Sequence, residues 1–442
     1  MRKLVMLLLL CGFAVLGMGD RLSYAGEIDI LLDKLVEKGI LTPGEAQEIG
    51  VETKEQVKKE IAEGKFSSLP AWVQNTKLKG DFRLRYQFNH AKDTTAERQR
   101  GRFRLRLGVE SKANEKLLVG FGLATGLGTV DNASGTALNK DYARSTNQSF
   151  SDAFSKKPVT IDYAFAQYTA TPWATFIGGK FKNPLWEPGD LLWDSDINPE
   201  GAVVKLVKRV DPATELFFTP GLLIIDEESA TGHDPIMGIV QAGVKYNATS
   251  NISVKGAFSY YNFMNIKNRY VEGGSFDTSN RRAYGNTRVN TGTTARLKYG
   301  YNTLSPAFEV KITEPLKLIG LSIPGVDVPY FAVFGEYVIN TQVSKKNTGF
   351  MPGFKFGSEK IEKWGDWQAK YNYAYLAKDA IPDFLPDSDR YEGTTGIRGH
   401  EFGLDLGLGK NTWLSLDGYR TQRLTRPMMP ETVFQADWNI KF

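Results

Sequence analysis

This 442-residue chain has one cysteine, three histidines and no apolar run long enough to cross a bilayer as a helix. The cysteine, Cys11, lies in an N-terminal stretch built like an export signal. Met1-Arg2-Lys3 is a short basic start, Leu4 to Leu16 is apolar, and Ser23-Tyr24-Ala25 puts small residues where a signal peptidase reads them. That apolar run is too short for an anchor, and Leu10 before Cys11 argues against a lipoprotein. Cleavage after Ala25 leaves a mature chain without cysteine, which excludes disulfides, thiol catalysis and Cys-ligated metals. His90, His233 and His400 have no second histidine or carboxylate at metal-ligand spacing, so surface roles are expected and no metal or cofactor is assigned. The pattern places His400 near a periplasmic strand end. No G-x-S-x-G elbow occurs, and Gly407-Leu408-Gly409-Lys410 lacks the first glycine and the following Ser/Thr of a phosphate loop. An enzyme is therefore not expected. The net charge of +5, with both signs dense and dispersed, excludes nucleic acid as an expected partner.

Aromatic residues and glycine are abundant, with 26 Phe, 19 Tyr and 44 Gly, and they fall at a period of two. At the C-terminus Phe434, Ala436, Trp438, Ile440 and Phe442 alternate with Gln435, Asp437, Asn439 and Lys441. One face is aromatic and the other polar, as when one side meets lipid and the other water. A terminal strand of a soluble β-protein is the alternative for this feature alone. Upstream, Phe103, Leu105, Leu107 and Val109 alternate with Arg102, Arg104, Arg106 and Gly108. Shifting this strand by one residue would push three arginines into lipid at about 2–4 kcal/mol each near the midplane. Arginine therefore faces inward, and Arg83, Arg85, Arg100, Arg102, Arg104 and Arg106 on two adjacent strands predict a basic pore-lining wall.

Connections alternate between short (near 111–115, 170–172, 210–213, 246–251, 322–327, 359–364 and 410–411) and long (126–157, 181–199, 226–235, 265–302 and 379–396). The fold class expected is all-β transmembrane, an antiparallel outer-membrane β-barrel of about 16 strands, since an open sheet edge is not tolerated in hydrocarbon. Residues 1–25 are assigned to the signal peptide, 26–70 to a short α-helical periplasmic segment, and 71–442 to the barrel. In the helical segment Ile28, Leu31, Leu32, Leu35 and Val36 recur at helical spacing, Thr42-Pro43-Gly44-Glu45 starts a helix, and Glu55 to Glu63 is a further charged helical stretch. The apolar stripe pairs either between protomers or against its own chain. The eight tryptophans, Trp186 and Trp193 among them, are assigned to aromatic girdles at strand ends.

Several stretches together resemble the bacterial "putative porin" family of 16-stranded outer-membrane barrels, similar in style to phosphate- and polyphosphate-type porins. They are Leu31-Leu32-Asp33-Lys34-Leu35-Val36-Glu37-Lys38-Gly39, Gly178-Gly179-Lys180-Phe181-Lys182-Asn183-Pro184, Leu192-Trp193-Asp194-Ser195-Asp196-Ile197-Asn198-Pro199-Glu200-Gly201, Asp366-Trp367-Gln368-Ala369-Lys370-Tyr371 with Asp387-Ser388-Asp389, and the terminal Phe442. The resemblance covers most of residues 27–442. It implies a pore in the outer membrane with no named substrate. Phe442 resembles the signal read by the barrel assembly machinery, and similar porins imply a homotrimer. Lipid and lipopolysaccharide are expected surroundings.

Asp190, Asp194, Asp196 and Glu200 form a candidate acidic constriction loop. Folded inward, it would face the basic wall and set selectivity through the local field. Outside, its acids would be hydrated or hold divalent ions at the lipopolysaccharide layer. The expected function is passive diffusion of small hydrophilic solutes with an anion preference. Two alternatives stand beside it: a substrate-specific channel with a lumen site for phosphate or an organic acid, and a closed structural or adhesin barrel.

Overall fold

The computed structural model describes residues 26–63, 75–91, 97–126, 143–150, 153–227, 232–269, 285–289, 296–321 and 327–442. The expected signal peptide, Trp72 and most of the 126–157 connection lie outside them.

The helical unit contains α1 (Gly26–Glu37) and α2 (Pro43–Glu63). The start of α2 is a capping box: the Glu45 N–H donates to Thr42 Oγ1 at 3.3 Å, and the Thr42 N–H donates back to Glu45 Oε2 at 2.8 Å. The two stretches read separately from the sequence, at 42–45 and 55–63, are one helix of 21 residues. Gly50 and the charged positions between them do not interrupt it.

The barrel unit begins at Asn75. Its first eight strands are β1 (Thr76–Ala91), β2 (Arg98–Lys112), β3 (Leu117–Thr125), β4 (Val159–Thr171), β5 (Ala174–Lys180), β6 (Glu200–Arg209), β7 (Thr214–Ile224) and β8 (Ile236–Asn247). The other eight are β9 (Ile252–Met264), β10 (Tyr301–Thr313), β11 (Tyr330–Asn340), β12 (Thr348–Gly357), β13 (Trp367–Leu376), β14 (Ile397–Gly409), β15 (Thr412–Arg423) and β16 (Glu431–Lys441). Each pairs antiparallel with its sequence neighbours, and β16 returns to β1, with Arg85 opposite Asp437 and Leu84 opposite Trp438. These sixteen strands close the sheet and leave no edge, as hydrocarbon requires. The short piece Gln148–Ser149 adds to β2 from the β3–β4 connection.

Alternation decides what each side sees. Leu78, Phe121, Phe218, Phe258, Phe308, Phe354, Phe402 and Trp438 point outward and are exposed. At the alternate positions of the strands, Arg85, Gln241, Thr303, Glu336 and Asp437 point inward and are buried. The turn end of the barrel has connections such as 172–173, 210–213, 248–251 and 410–411, and the chain enters and leaves there. The opposite, loop end has the long connections 181–199, 265–300 and 377–396, together with a shorter 341–347 link that composition did not single out.

The barrel is not hollow throughout. Parts of the long connections fold into it and form an apolar core of their own. Leu185, Leu192, Trp193 and Ile197 from one connection and Ile381, Leu385 and Tyr391 from another pack against the inner wall at Tyr261, Phe334 and Met351. Trp193 is only 4% exposed, with its ring centroid 6.4 Å from that of Tyr261. Trp186 lies under Lys255 Nζ, 4.7 Å from the ring centroid. These two tryptophans are therefore inside the barrel rather than in the girdles. The reason is local: the loop places Leu191-Leu192-Trp193 together, and three adjacent large apolar side chains are buried by folding back onto the wall.

Candidate functional site: a charged lumen closed by interlocked loops

The six arginines share the inner face of β1 and β2. Arg83 lies opposite Arg104, Arg85 opposite Arg102, and Arg100 opposite Gln87. The wall is held by acids that sequence position alone did not bring to it. Asp437 on β16 takes a two-pronged bond from Arg85, 2.7 Å from both Nε and Nη2. Asp81, on the same strand as Arg83 and Arg85, accepts from Arg104 Nη2 and Arg106 Nε at 2.8 Å each. The Arg85–Asp437 pair is fork-to-fork, which fixes the guanidinium plane as well as neutralising charge.

The candidate acidic residues separate. Asp196 reaches the wall, 3.3 Å from Arg106 Nη1 and 3.9 Å from Arg104 Nη1. Burial opposes ionisation of Asp196, but Arg104, Arg106 and Arg83 outweigh it and hold the carboxyl below its ordinary value. Asp190 pairs instead with Arg390 Nη1 at 2.7 Å. Asp194 turns to the neighbouring loop and accepts from the Ser388 N–H at 2.8 Å. Glu200 begins β6 and pairs with Lys180 at 2.8 Å, away from the wall. Phe442 stands outside the barrel, its ring over Gly80, and exchanges backbone bonds of 2.7 and 3.0 Å with that residue. His400 is on the outer face of β14 near the loop end, not at the turn end as the pattern suggested, because β14 begins at Ile397.

The inward loops are tied to each other and to the wall. Glu336 accepts the Gly189 and Leu191 N–H groups at 2.7 and 3.1 Å. Gln241 closes a two-way bond with Trp186, accepting at 2.8 Å and donating at 2.9 Å. Arg144 Nη1 donates to the carbonyls of Asp383, Pro386 and Gly393 at 3.0, 3.1 and 2.7 Å. Asn286 holds the same loop through the Lys378 and Ile381 carbonyls at 2.7 and 2.8 Å. Arg390 ties both loops to the wall by donating to Asp190, Asn372 and Glu401. The Leu192–Gly201 and Asp387-Ser388-Asp389 stretches that carried the family resemblance thus lie mainly in this interlock.

Two aspartates there are pushed toward neutrality. Burial first, then the charge of Asp196, raises Asp194 to about 7. Burial, with Asp190, Asp389 and Asp194 close by, raises Asp387 well above its usual range. Asp389 is held low, because Arg85 and Arg102 overcome its burial. A carboxyl with a raised pKa in the docked loops favours docking fully below the ordinary aspartate value, and that contribution is lost as pH rises through about 7. Asp196 and Asp389 act in the opposite sense, but their contribution is lost only at acid pH, below the ordinary aspartate value. Hydrogen exchange at the Leu385, Asp387 and Ser388 amides is therefore expected to rise between about pH 5 and about pH 8 by more than intrinsic exchange chemistry accounts for. The variant Asp194→Asn/Asp387→Asn should flatten that excess; an unchanged slope would contradict the assignment.

A second basic feature rings the turn end. Lys79, Lys205, Lys245, Lys255, Lys311, Lys355, Lys370 and Lys441 come from eight strands, each within four residues of its turn-end terminus. Register turns them inward: Lys245 faces Lys255, Lys355 faces Lys370, and Lys255 faces Glu309. Lys79, Lys311 and Lys370 pair with Glu110, Glu359 and Glu401. Among the described residues, Lys205, Lys245, Lys255, Lys355 and Lys441 have no carboxylate at ion-pair distance. Near the turn end a hollow of about 270 Å³ is lined by Lys79, Asp81, Arg106, Asp162, Tyr163, Lys182 and Lys441 together with Gly80, Gly108 and the outward-facing Leu107, Leu123 and Phe442. One lysine per strand, scattered over hundreds of residues, forms no visible cluster in the sequence.

A closed sixteen-stranded barrel with an apolar outer belt and a charged interior entered by loops is the architecture of an outer-membrane porin channel. The family model described as "putative porin" matches residues 87–321 and 322–442, and the chain belongs to that family. The structure of Pseudomonas putida OprB determined at high pH is similar in fold, with 9% identity, a TM-score of 0.55, and 87% of this chain and 96% of that one covered. A loop-deletion mutant of Vibrio cholerae OmpT gives 11% identity, a TM-score of 0.44 and 83% and 100% coverage. A Rhodopseudomonas blastica porin mutant gives 9%, 0.43, and 83% and 100%. No protein of curated function matches in sequence.

Proposed function

We propose that this barrel passes small hydrophilic solutes down their gradient and prefers anions. The turn end faces the periplasm and the long loops face outward, following the usual asymmetry of such barrels, and the N-terminal helical segment is periplasmic. The observation that carries the reading is the placement of Asp196, on an inward loop, against Arg104 and Arg106. Opposed charges across a narrow lumen set a transverse field, and the excess sign sets ion preference. Here the excess is basic, from six wall arginines with a lysine ring below them. Arg83 and Arg106 keep 19% and 24% of their side chains exposed, whereas the interlocked loops fill the opposite side with apolar groups. The solute path on this reading follows the arginine wall.

The basic side chains of Lys79, Arg106, Lys182 and Lys441, gathered at the turn end of the wall, also support a narrower reading, a channel that retains an anionic solute there. Proteoliposomes holding the full mature chain test the proposal by osmotic swelling. Small neutral solutes should enter, and a monoanionic solute of equal size should enter faster than a monocationic one. No swelling with any solute would contradict a pore. Saturation with the anion alone would favour the narrower reading.

A further inference from the structure

The outer surface of the barrel has one cationic patch that the lumen does not explain. Arg398 and His400 on β14 share the outward face with Phe402, and Arg420 on β15 lies directly opposite His400. All three are exposed. Among the described residues none has a carboxylate at ion-pair distance. Outward positions elsewhere toward the loop end include apolar and aromatic side chains such as Leu222, Ile224, Val240, Tyr337 and Phe350, and the outward His90 of β1, across Thr432 from Arg420, pairs with Glu97 at 3.5 Å. Lys180, another outward cation in that region, is neutralised by Glu200.

Cations facing lipid are costly near the midplane and tolerated only close to the interface. These lie within four residues of the loop-end strand termini, in register with Tyr373 and Tyr375 of β13, at the level of an aromatic girdle. Neutral groups hold them in place. With its oxygen turned to Arg398, the Gln422 amide accepts from Nε and Nη2 at 2.9 and 2.8 Å. Arg420 donates to Thr432 Oγ1. Tyr371 Oη lies 2.9 Å from His400 Nδ1, which leaves Nε2 unengaged by that contact. Two guanidinium groups and an imidazole, set in an apolar belt at headgroup depth without a protein counter-ion, complement an anion that arrives on a lipid.

We infer that the Arg398–His400–Arg420 patch binds a phosphate of the phosphorylated glycolipid in the outer leaflet. The inference rests on the proposed orientation with the long loops outward, and its test does not depend on conduction.

The test is native mass spectrometry of the full mature chain in micelles with bis-phosphorylated lipid A, with the same lipid after phosphatase treatment, and with excess inorganic phosphate. The folded chain should retain the phosphorylated lipid and release the dephosphorylated one, and inorganic phosphate should not displace it. Arg398→Gln/Arg420→Gln should weaken retention about thirtyfold, about fivefold for each arginine near a charged surface. Heat-dependent gel mobility checks that the variant is folded, and a second variant, Arg398→Lys/Arg420→Lys, should restore much of the retention. Equal retention by wild type and the Gln variant, equal retention of the dephosphorylated lipid, or full displacement by inorganic phosphate would overturn the proposal. So would an oligomer held by this face, formed by the wild type and lost in the Gln variant.

Discussion

Arg390→Met is expected to unfasten the inward loops and increase single-channel conductance severalfold without opening the barrel wall. Arg390 is 4% exposed and holds Asp190 of one loop, Asn372 of β13 and Glu401 of β14 together. Glu401 keeps a second cation, Lys370 Nζ at 2.8 Å, but Asp190 loses its ion-pair partner. Removing one member of a buried pair costs about 3–5 kcal/mol, because the remaining charge stays out of water. That is comparable with the free energies at which parts of proteins open locally, so the loss should appear as loop release rather than global unfolding. Protease cleavage near residues 379–396 of the folded barrel should accelerate, while heat-dependent gel mobility stays unchanged. Arg390→Lys should lie between the two, keeping charge but losing the fork. Conductance and cleavage equal to wild type would mean that the loops are held by apolar packing alone.

The second large effect concerns selectivity. Arg102→Ser/Arg104→Ser/Arg106→Ser removes three cations from one inner wall and leaves Asp81 and Asp196 without their main partners. The lumen charge beside the solute path then changes sign. The anion-to-cation permeability ratio should fall by about tenfold, equivalent to about 1.4 kcal/mol. The lysine ring lies nearer the turn end and is untouched, so some basic field remains. Asp196→Asn should move the ratio in the opposite direction by a smaller amount, because it removes one acid from the same field. A triple variant that keeps the wild-type reversal potential would move control of selectivity away from the arginine wall.

The closed barrel could be read in advance because its cause is local. A strand between lipid and water must alternate, and each strand carries that constraint in its own few residues. Phe103, Leu105 and Leu107 against Arg102, Arg104 and Arg106 are sufficient to set the register. Closure brings together what sequence distance separates, so Asp437 could not be read as the partner of Arg85, 352 positions away. The lysine ring escaped for the same reason, one residue on each of eight strands. The charge of the 181–199 connection was legible, but its two tryptophans were assigned to the membrane interface. Trp186 and Trp193 occupy loop positions that suit a girdle equally well, and only the wall residues Tyr261 and Lys255 show that the loop folds inward. The two-way Gln241–Trp186 bond and the Glu336 bonds to Gly189 and Leu191 are long-range bonds from wall side chains to loop backbone, with no sequence signature.

The central claim is an open lumen whose field is set by the arginine wall, and the reversal potential of the purified full chain in a planar bilayer under a KCl gradient tests it most directly. Stable, ohmic openings with a reversal potential displaced toward that of chloride are the predicted result. A folded barrel that does not conduct, or one whose reversal potential lies toward potassium, would contradict the account.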